Sequence, residues 1–146
     1  ALAPVLEMLA ERAEQKQIEL TTQGLQGLRV AAESEDVRRI FANLLENGVK
    51  YTPSGGTVCV QARGQPGRAC VEICDSGMGV APTEHERILD GFFRSEAAKE
   101  SGELGTGVGL SIVRRLLQRW QGTIELESEL GQGSCFRFYL PSINGD

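Results

Sequence analysis

The chain has 146 residues, a length that fits a single domain over residues 1–146 and allows a substantial buried core. Its net charge of −5 argues against a nucleic-acid-binding surface, which would need clustered positive charge. No apolar run approaches the roughly 20 residues that span a bilayer, and the N-terminus lacks the basic-then-apolar order of a signal peptide. We therefore expect a cytoplasmic piece without direct membrane insertion, which could be the cytoplasmic part of a membrane-bound protein.

The first predicted elements are a helix and two short strands. Apolar residues recur at helical spacing behind Pro4, which suits a first turn, and predict a helix that ends near Glu14 or Gln15. The stretches IELTT and LRVAA then alternate between apolar and polar residues, a pattern typical of short strands.

A second helix is predicted from the apolar stripe that begins at Val37, with Ser34 or Asp36 as its N-cap. At 100° per residue, Asn43, Asn47 and Lys50 fall together along one border of its apolar stripe. Asparagine is a mediocre helix former, so two amides in a row need a reason other than helix propensity. The stripe itself consists of Val37, Ile40, Phe41, Leu44, Leu45, Gly48 and Val49.

Two hairpins are predicted on either side of a long irregular stretch. TVCVQARG and RACVEICD alternate with period two and are separated by residues 64–67, and TIELESE and SCFRFYLP flank an LGQG turn. The stretch from residue 76 to about 104 is polar and glycine-rich, and loops of that length are usually functional or mobile. Adjacent hairpins with helices on one face predict a two-layer α/β sandwich.

A third helix is predicted after GTGVG. The helix has one apolar face, formed by Leu110, Val113, Leu116, Leu117 and Trp120.

The four cysteines are interpreted as structural. They form no C-x-x-C pair, and a single histidine leaves a zinc site without its usual ligand clusters. We expect all four to be buried, reduced thiols.

Two common nucleotide motifs are absent. There is no G-x-x-x-x-G-K-[ST] segment, which excludes a P-loop. GTGVG opens a helix after a loop and has the wrong final spacing for a dinucleotide-binding fingerprint. Each G-x-G is weak evidence alone, and Gly131 with Gly133 is interpreted as a hairpin turn.

Four motifs gain weight from their order: NLLENGVKYT, DSGMG at a strand end, FFR, and GTGVGLSIV at a helix start. Together they closely resemble the N, G1, F and G2 boxes of the catalytic ATP-binding domain of sensor histidine kinases. These kinases belong to the Bergerat-fold superfamily, which also includes gyrase and mismatch-repair ATPases. The resemblance runs from Leu2 to Pro141 and implies a mixed, mostly antiparallel sheet with an ATP lid at about residues 76–106.

The resemblance implies a role for each polar residue of the second helix. Asn47 would bind Mg²⁺ through its amide oxygen, a hard ligand for a hard ion. Asn43 would support the same ion and the phosphates of ATP, and Lys50 would meet a phosphate as a point charge. Tyr51 would flank the nucleotide.

The glycine-rich motifs would hold the base and the phosphates. Asp75 would accept a hydrogen bond from the adenine amino group, while Gly77 and Gly79 would let the backbone pass close to the base. The triphosphate would bind backbone N–H groups at the start of a helix, where the dipole favours negative charge. That segment consists of Gly105, Thr106, Gly107, Val108, Gly109 and Leu110.

Residues for the transfer itself follow from the same resemblance. Phe92 and Phe93 would dock within the lid, where Arg94 could steady the transferred charge. Glu46 could orient the target imidazole or accept its proton, or it could be a solvated glutamate. His85 lacks the H-E-[aliphatic]-[basic]-[Thr/Asn]-Pro context of a phosphoacceptor and is interpreted as an ordinary solvated histidine.

Three positions depart from the family pattern. Gly48 replaces the usual alanine, at a cost of up to about 1 kcal/mol of helix stability but with closer packing against the sheet. Gly91 stands where arginine is common, and Leu104 where a further glycine is frequent, which affects lid docking more than nucleotide binding.

The sequence thus predicts a protein-histidine kinase domain that uses ATP and Mg²⁺. Its partners would be the histidine-containing dimerisation domain of the same kinase and, indirectly, a response regulator. Two alternatives stay open: an ATP-dependent binding module of a degenerate kinase, and a gyrase- or mismatch-repair-type ATP hydrolase. The hydrolase would normally carry a carboxylate at the position of Asn43, because an amide cannot accept a proton from water.

Overall fold

The computed structural model describes residues 3–24, 30–77, 79, 108–129 and 131–142. None of the helices in these ranges is long and apolar enough to cross a membrane. The elements are α1 (Ala3–Gln15), β1 (Glu19–Gln23), α2 (Ser34–Tyr51), β2 (Thr57–Gln65), β3 (Arg68–Asp75), α3 (Val108–Arg119), β4 (Thr123–Glu129) and β5 (Gly133–Pro141).

The strands form one sheet in the order β1-β2-β3-β5-β4. β1 runs parallel to β2, and each of the other neighbouring pairs is antiparallel. The predicted mixed, mostly antiparallel sheet is therefore confirmed. Because β5 lies between β3 and β4, the first residues of β5 are beside the last residues of β3, with Ser134 opposite Asp75.

The turn of the first hairpin is tighter than the sequence predicts. Gln65 and Arg68 still pair across the strands, so the turn consists of Pro66 and Gly67. Proline suits the first central position, and Gly67 adopts a φ of +77°, the combination of a type II turn. The predicted boundary is wrong because Gly64, although typical of a turn, pairs inside the sheet.

The apolar core lies between the three helices and one face of the sheet. Alternate residues of each central strand enter it, as Val58 and Val60 do on β2. This arrangement confirms the two-layer α/β sandwich, and α1 ends at Gln15 as predicted. The predicted stripe of α2 is its buried face, with Ile40, Phe41, Leu44, Leu45, Gly48 and Val49 all buried.

The start of α2 differs from the prediction. Glu33 occupies the N-cap position and makes no capping hydrogen bond with its side chain. Asp36, predicted as a cap, is instead buried inside the first turn, where it accepts hydrogen bonds from Trp120 Nε1 at 2.7 Å and Arg119 Nη1 at 3.1 Å. The hydrogen bond from Trp120, followed by that from Arg119, lowers the pKa of this carboxyl below its ordinary value.

The predicted strand LRVAA is not formed in its described part. Val30 makes an isolated antiparallel bridge with Ser142, and no named strand includes it. Residues 25–29 lie outside the described ranges.

The outer face of the sheet, opposite the helices, is polar. Arg137 of β5 donates to Glu72 at 2.6 Å and lies 3.3 Å from both Glu125 and Glu127. Cys74 and Cys135, neighbours on β3 and β5, are joined by a disulfide. The expectation of four buried, reduced thiols is therefore wrong for this pair, because strand pairing brings together two residues that are 61 positions apart in sequence. Cys59 is a free thiol but only half-buried, so the expectation holds in full for Cys70 alone.

Candidate functional site

The C-terminal half of α2 packs over the end of β3. Gly48 faces the sheet there, and a Cβ on this residue would lie 3.5 Å from Val58 Cγ1 and 3.9 Å from Asp75 Cβ. The helix that carries the predicted N box and the strand end that carries the predicted adenine-binding residue therefore meet. This junction is the candidate site.

Asp75 is a half-buried carboxylate that is held by backbone groups. Its Oδ1 accepts a hydrogen bond from Gly77 N at 2.9 Å, and the Ser134 N–H is a second donor to the carboxylate. Among the described residues no cation pairs with it. Burial raises the pKa of Asp75 from 3.8 to about 6, against the effect of the two backbone hydrogen bonds. Because its surroundings disfavour the ionised carboxylate, Asp75 is a candidate for ligand binding.

The glycines after Asp75 let the chain pass close to the end of α2. A Cβ on Gly77 would lie 2.6 Å from Tyr51 O and 2.8 Å from Asp75 Oδ1, which leaves no room for a side chain. Gly79 adopts a φ of +70°, in the left-handed region that favours glycine. Both residues therefore occupy positions that suit the predicted role of close backbone approach.

The polar strip of α2 lies at the helix border, as its spacing predicts. Asn43, Asn47 and Lys50 are each half-buried. Asn43 Nδ2 donates to Arg39 O at 2.8 Å, which leaves the amide oxygen of Asn43 available. No described residue hydrogen-bonds the Asn47 side chain, and Lys50 Nζ lies 5.5 Å from the centre of the Tyr51 ring.

Two residues to which the sequence analysis gave no role fix the last turn of α2: Lys16, outside the motifs, and Thr52, the last residue of NLLENGVKYT. Lys16 Nζ donates to Val49 O at 3.1 Å and to Lys50 O at 2.6 Å, and so satisfies carbonyls that a helix end leaves unpaired. Thr52 Oγ1, fully buried, donates to Gly48 O at 2.6 Å. The sequence offers no signal for Lys16, because it follows α1 and is more than 30 positions away.

The start of β5, which includes the last glycine of the predicted LGQG turn, also contributes to the site, contrary to the simple hairpin role predicted for that glycine. Gly133 has a φ of +130° and its Cα faces the Asp75 carbonyl so closely that a Cβ would collide with it. Buried Ser134 follows, and its hydroxyl shares a 2.7 Å hydrogen bond with Ser128. The glycine and serine of GQGS are visible in the sequence, but only the pairing of β3 with β5 shows that they lie beside Asp75.

Glu46 lies on the solvent side of α2. Its carboxylate is 3.3 Å from Arg12 Nη1, and both side chains are about half exposed at 51%. Such an exposed pair contributes little to stability. Glu46 is thus accessible from outside.

Several predicted residues lie outside the described ranges: Arg94, Gly105, Thr106 and Gly107, together with His85, Phe92, Phe93 and most of the predicted lid. The third helix begins at Val108, at the end of GTGVG as predicted, and continues through Gly109 to buried Leu110.

The described residues fit a magnesium–nucleotide ligand better than a metal cage made only of protein. No group of three or more His, Cys, Asp or Glu side chains that could hold a metal occurs in the described part of the chain. Mg²⁺ usually keeps several waters and binds few protein oxygens together with substrate phosphates. The unpaired amide oxygen of Asn47 and that of Asn43 suit this mode.

A family model described as histidine kinase-, DNA gyrase B-, and HSP90-like ATPase matches residues 32–144. Among curated relatives, the adaptive-response sensory kinase SasA of Synechococcus elongatus is 37% identical over 142 residues, 96% of this chain. The sensor-like histidine kinase SenX3 of Mycolicibacterium smegmatis is 34% identical over 129 residues, 88% of this chain. The chain spans only 36% and 34% of the length of these two relatives.

Solved structures agree with the fold. ShkA, solved at full length in complex with AMPPNP, superposes with a TM-score of 0.81 at 33% identity, over 97% of this chain and 29% of that one. The mycobacterial sensor histidine kinase MprB gives a TM-score of 0.80 at 28% identity, over 96% of this chain and 95% of that one. The chain therefore belongs to the histidine kinase-, DNA gyrase B- and HSP90-like ATPase family, and within it to the catalytic domains of sensor histidine kinases.

Proposed function

We propose that this domain binds Mg·ATP between the end of α2 and the end of β3 and transfers the γ-phosphoryl group to a histidine on a separate dimerisation domain. The observation that carries the proposal is Asp75, a half-buried carboxylate without a cationic partner among the described residues. It lies where Gly77 meets the last turn of α2, the helix that also carries the half-buried amides of Asn43 and Asn47. The complex of the related ShkA with AMPPNP supports an adenine nucleotide as the ligand.

Asp75 would select adenine. An ionised carboxylate only accepts hydrogen bonds, so it suits the exocyclic amino group of adenine and repels the oxygen that guanine has at the same position. The backbone N–H groups of Gly77 and Ser134 fix the direction of the carboxylate in advance. Preorganised acceptors of this kind contribute to selectivity because they need not reorient on binding.

The phosphates and the metal would bind along α2 and at the start of α3. Asn47 would coordinate Mg²⁺ with its amide oxygen, and Asn43 would support the ion and the phosphates. Lys50 would meet a phosphate, and the residues from Gly105 to Leu110 would offer backbone N–H groups at the α3 N-terminus. Bound Mg²⁺ supplies charge neutralisation on the phosphate oxygens.

The transfer breaks the bond between the γ-phosphorus and the oxygen that bridges it to the β-phosphate, and forms a phosphorus–nitrogen bond to the target imidazole. ADP leaves with the bonding electrons. Positioning and charge stabilisation carry most of such a reaction. We assign Arg94 to the transferred charge and exposed Glu46 to orientation or deprotonation of the imidazole.

The partners and the location follow from this assignment. The phosphoacceptor would lie on the dimerisation domain of the same kinase, and a response regulator would receive the phosphoryl group afterwards. The domain would be cytoplasmic. Hydrolysis of the gyrase type is disfavoured, because Asn43 has an amide where such enzymes carry a carboxylate, and its nitrogen is occupied by Arg39 O.

The deciding experiment mixes the domain with the histidine-containing dimerisation domain of the same protein and ATP labelled at the γ-phosphate. Acid-labile, base-stable label on the dimerisation domain is expected. Arg94→Ala should still bind ATP but transfer label more slowly, whereas Asn47→Ala should lose Mg²⁺-dependent binding. ATP binding without label on the partner would instead identify a binding module of a degenerate kinase.

A further inference from the structure

Three of the four cysteines lie side by side on the outer face of the sheet. Cys59 on β2 is opposite Cys74 on β3, and Cys74 is opposite Cys135 on β5. All three are partly exposed. Cys74 and Cys135 form the disulfide, and Cys59 is a free thiol. We call these three residues the cysteine row.

We propose that the cysteine row is a thiol–disulfide exchange site in which Cys74 provides the shared sulfur. The Cα atoms of Cys74 and Cys135 are 4.0 Å apart, and directly opposite residues of antiparallel strands in general have Cα atoms about 4.5 or 5.5 Å apart. Both separations suit a disulfide, so Cys74 can bond to either neighbour. Cys59 and Cys135 are two strand spacings apart, roughly 9–10 Å, which a disulfide cannot span.

The register also gives the direction of attack. The Cys59 thiol loses its proton to solvent, and the thiolate attacks Sγ of Cys74. A Cys59–Cys74 bond forms as the Cys74–Cys135 bond breaks, and the electron pair leaves on the Cys135 sulfur, which takes up a proton. The step is therefore neutral in electrons. Because Cys59 and Cys135 lie on opposite sides of Cys74, the attacking and leaving sulfurs are placed for direct displacement.

The fourth cysteine provides an internal control. Cys70 is on the same face of β3 but is buried, and its cross-strand neighbours are Arg63 and Tyr139. It therefore has neither access nor a thiol partner. A reagent that labels the native protein should leave Cys70 unmodified.

The exchange is tested by trapping thiols in the native, oxidised chain at about pH 8.5, where thiolate is abundant. After incubation, N-ethylmaleimide is added, and the protein is digested at low pH and mapped by mass spectrometry. The label should divide between Cys59 and Cys135, and every singly labelled molecule should retain a disulfide that includes Cys74. Label confined to Cys59 at all incubation times would overturn the proposal.

Single variants test the shared sulfur after reduction and reoxidation with oxidised glutathione. Cys135→Ser should form Cys59–Cys74 in a yield within roughly threefold of the Cys74–Cys135 yield in Cys59→Ser. Cys74→Ser should give at least about tenfold less intramolecular disulfide, because its remaining row thiols are too far apart. Cys70→Ser should repeat the parent pattern.

Two outcomes of the variant series contradict the proposal: two free row thiols in folded Cys135→Ser, or a Cys59–Cys135 bond in Cys74→Ser. Circular dichroism establishes which variants are folded. If Cys135→Ser does not fold, the labelling of the parent chain still decides between exchange and a fixed disulfide.

Discussion

Asp36 and Asp75 are carboxylates at opposite ends of α2: Asp36 is buried in its first turn, and Asp75 lies half-buried beside its last turns. Asp36 accepts hydrogen bonds from the side chains of Trp120 and Arg119, and these hydrogen bonds lower its pKa. Asp75 is held by backbone N–H groups, and burial raises its pKa to about 6. Side-chain donors outweigh the burial of the first, whereas the backbone donors that the described residues offer do not outweigh the burial of the second.

This difference separates a structural carboxylate from a candidate binding carboxylate. Asp36 joins the first turn of α2 to the end of α3 across 83 and 84 positions of sequence, so its charge stabilises the tertiary structure. The ionised form of Asp75 opposes folding, and a ligand that donates a hydrogen bond would offset that cost. Asn substitutions at the two sites should therefore have opposite effects.

The largest effect is expected from Asp75→Asn. Loss of the charged acceptor should weaken ADP binding in the presence of Mg²⁺ roughly tenfold to a hundredfold, measured by calorimetry. The free energy of unfolding at pH 7 should stay the same or rise, because burial of a charge is relieved. Equal ADP affinity in the variant and the parent would refute the adenine assignment.

The pH dependence of ADP binding by the parent protein should report the protonation of Asp75. Below pH 6 the protonated group can no longer offer a charged acceptor, so ADP affinity should fall by up to about tenfold per pH unit between pH 6 and pH 5. Calorimetric titrations across this window measure it, and Asp75→Asn should be nearly flat over the same range.

Stability should move in the opposite direction. Since the folded-state pKa of Asp75 is raised from 3.8 to about 6, the folded protein binds the proton more tightly between these values. The contribution of Asp75 should therefore favour folding more as pH falls through this window, by at most about 3 kcal/mol relative to pH 7. Denaturant titrations of the parent and of Asp75→Asn isolate this contribution. A difference between the two that does not change with pH would contradict it.

Gly77→Ala tests the surroundings of Asp75 with the carboxylate left in place. The added methyl group would lie 2.6 Å from Tyr51 O and 2.8 Å from Asp75 Oδ1, so the chain must shift. Overpacking of this kind typically costs about 1–3 kcal/mol of unfolding free energy. ADP affinity should fall as well, because the shift moves the backbone N–H that orients Asp75. Unchanged ADP affinity in a destabilised Gly77→Ala variant would show that this glycine does not belong to the binding site.

Asp36→Asn should lower stability and leave ADP affinity nearly unchanged, the reverse of what is expected for Asp75→Asn. Removal of the carboxylate charge, which accepts hydrogen bonds from Trp120 and Arg119, should lower the melting temperature by about 3–6 °C. ADP affinity should stay within about twofold of the parent value. Because the pKa of Asp36 is lowered below 3.8, its charge stabilises the fold above that pH, and the benefit is lost as pH falls through the folded-state pKa. The difference in melting temperature between variant and parent should therefore shrink progressively as the pH falls below 3.8.

The contrast between these carboxylates also shows what the sequence could predict. The polar border of α2 and the placement of Asp75 at a strand end follow from local periodicity, and both are correct. The partners of Asp36 and the approach of Ser134 to Asp75 depend on which distant elements pack together. Local patterns carry no information on such pairings, so Asp36 resembled an N-cap.

The same reasoning applies to the cysteines and to the helix end. Cys74 and Cys135 each alternate within an apolar strand, which indicates a core position, but the order of the strands places them on the outer face as neighbours. Lys16 follows α1 with no motif of its own, although it caps the last turn of α2. Register and strand order, rather than element type, were beyond the reach of the sequence.

The smallest effect is expected from Gly48→Ala, and its sign is informative. A Cβ at Gly48 would lie 3.5 Å from Val58 Cγ1, an ordinary van der Waals contact, so the closer packing expected from glycine is not required by its surroundings. Alanine should then stabilise the fold by up to about 1 kcal/mol through helix propensity, measured by denaturant unfolding. ADP affinity should not change, because the methyl group points toward the sheet and away from the Asn43 border. A loss of stability would mean that α2 lies closer to β2 than the Val58 contact indicates, and a loss of affinity would mean that the spacing between α2 and Asp75 is itself part of the binding site.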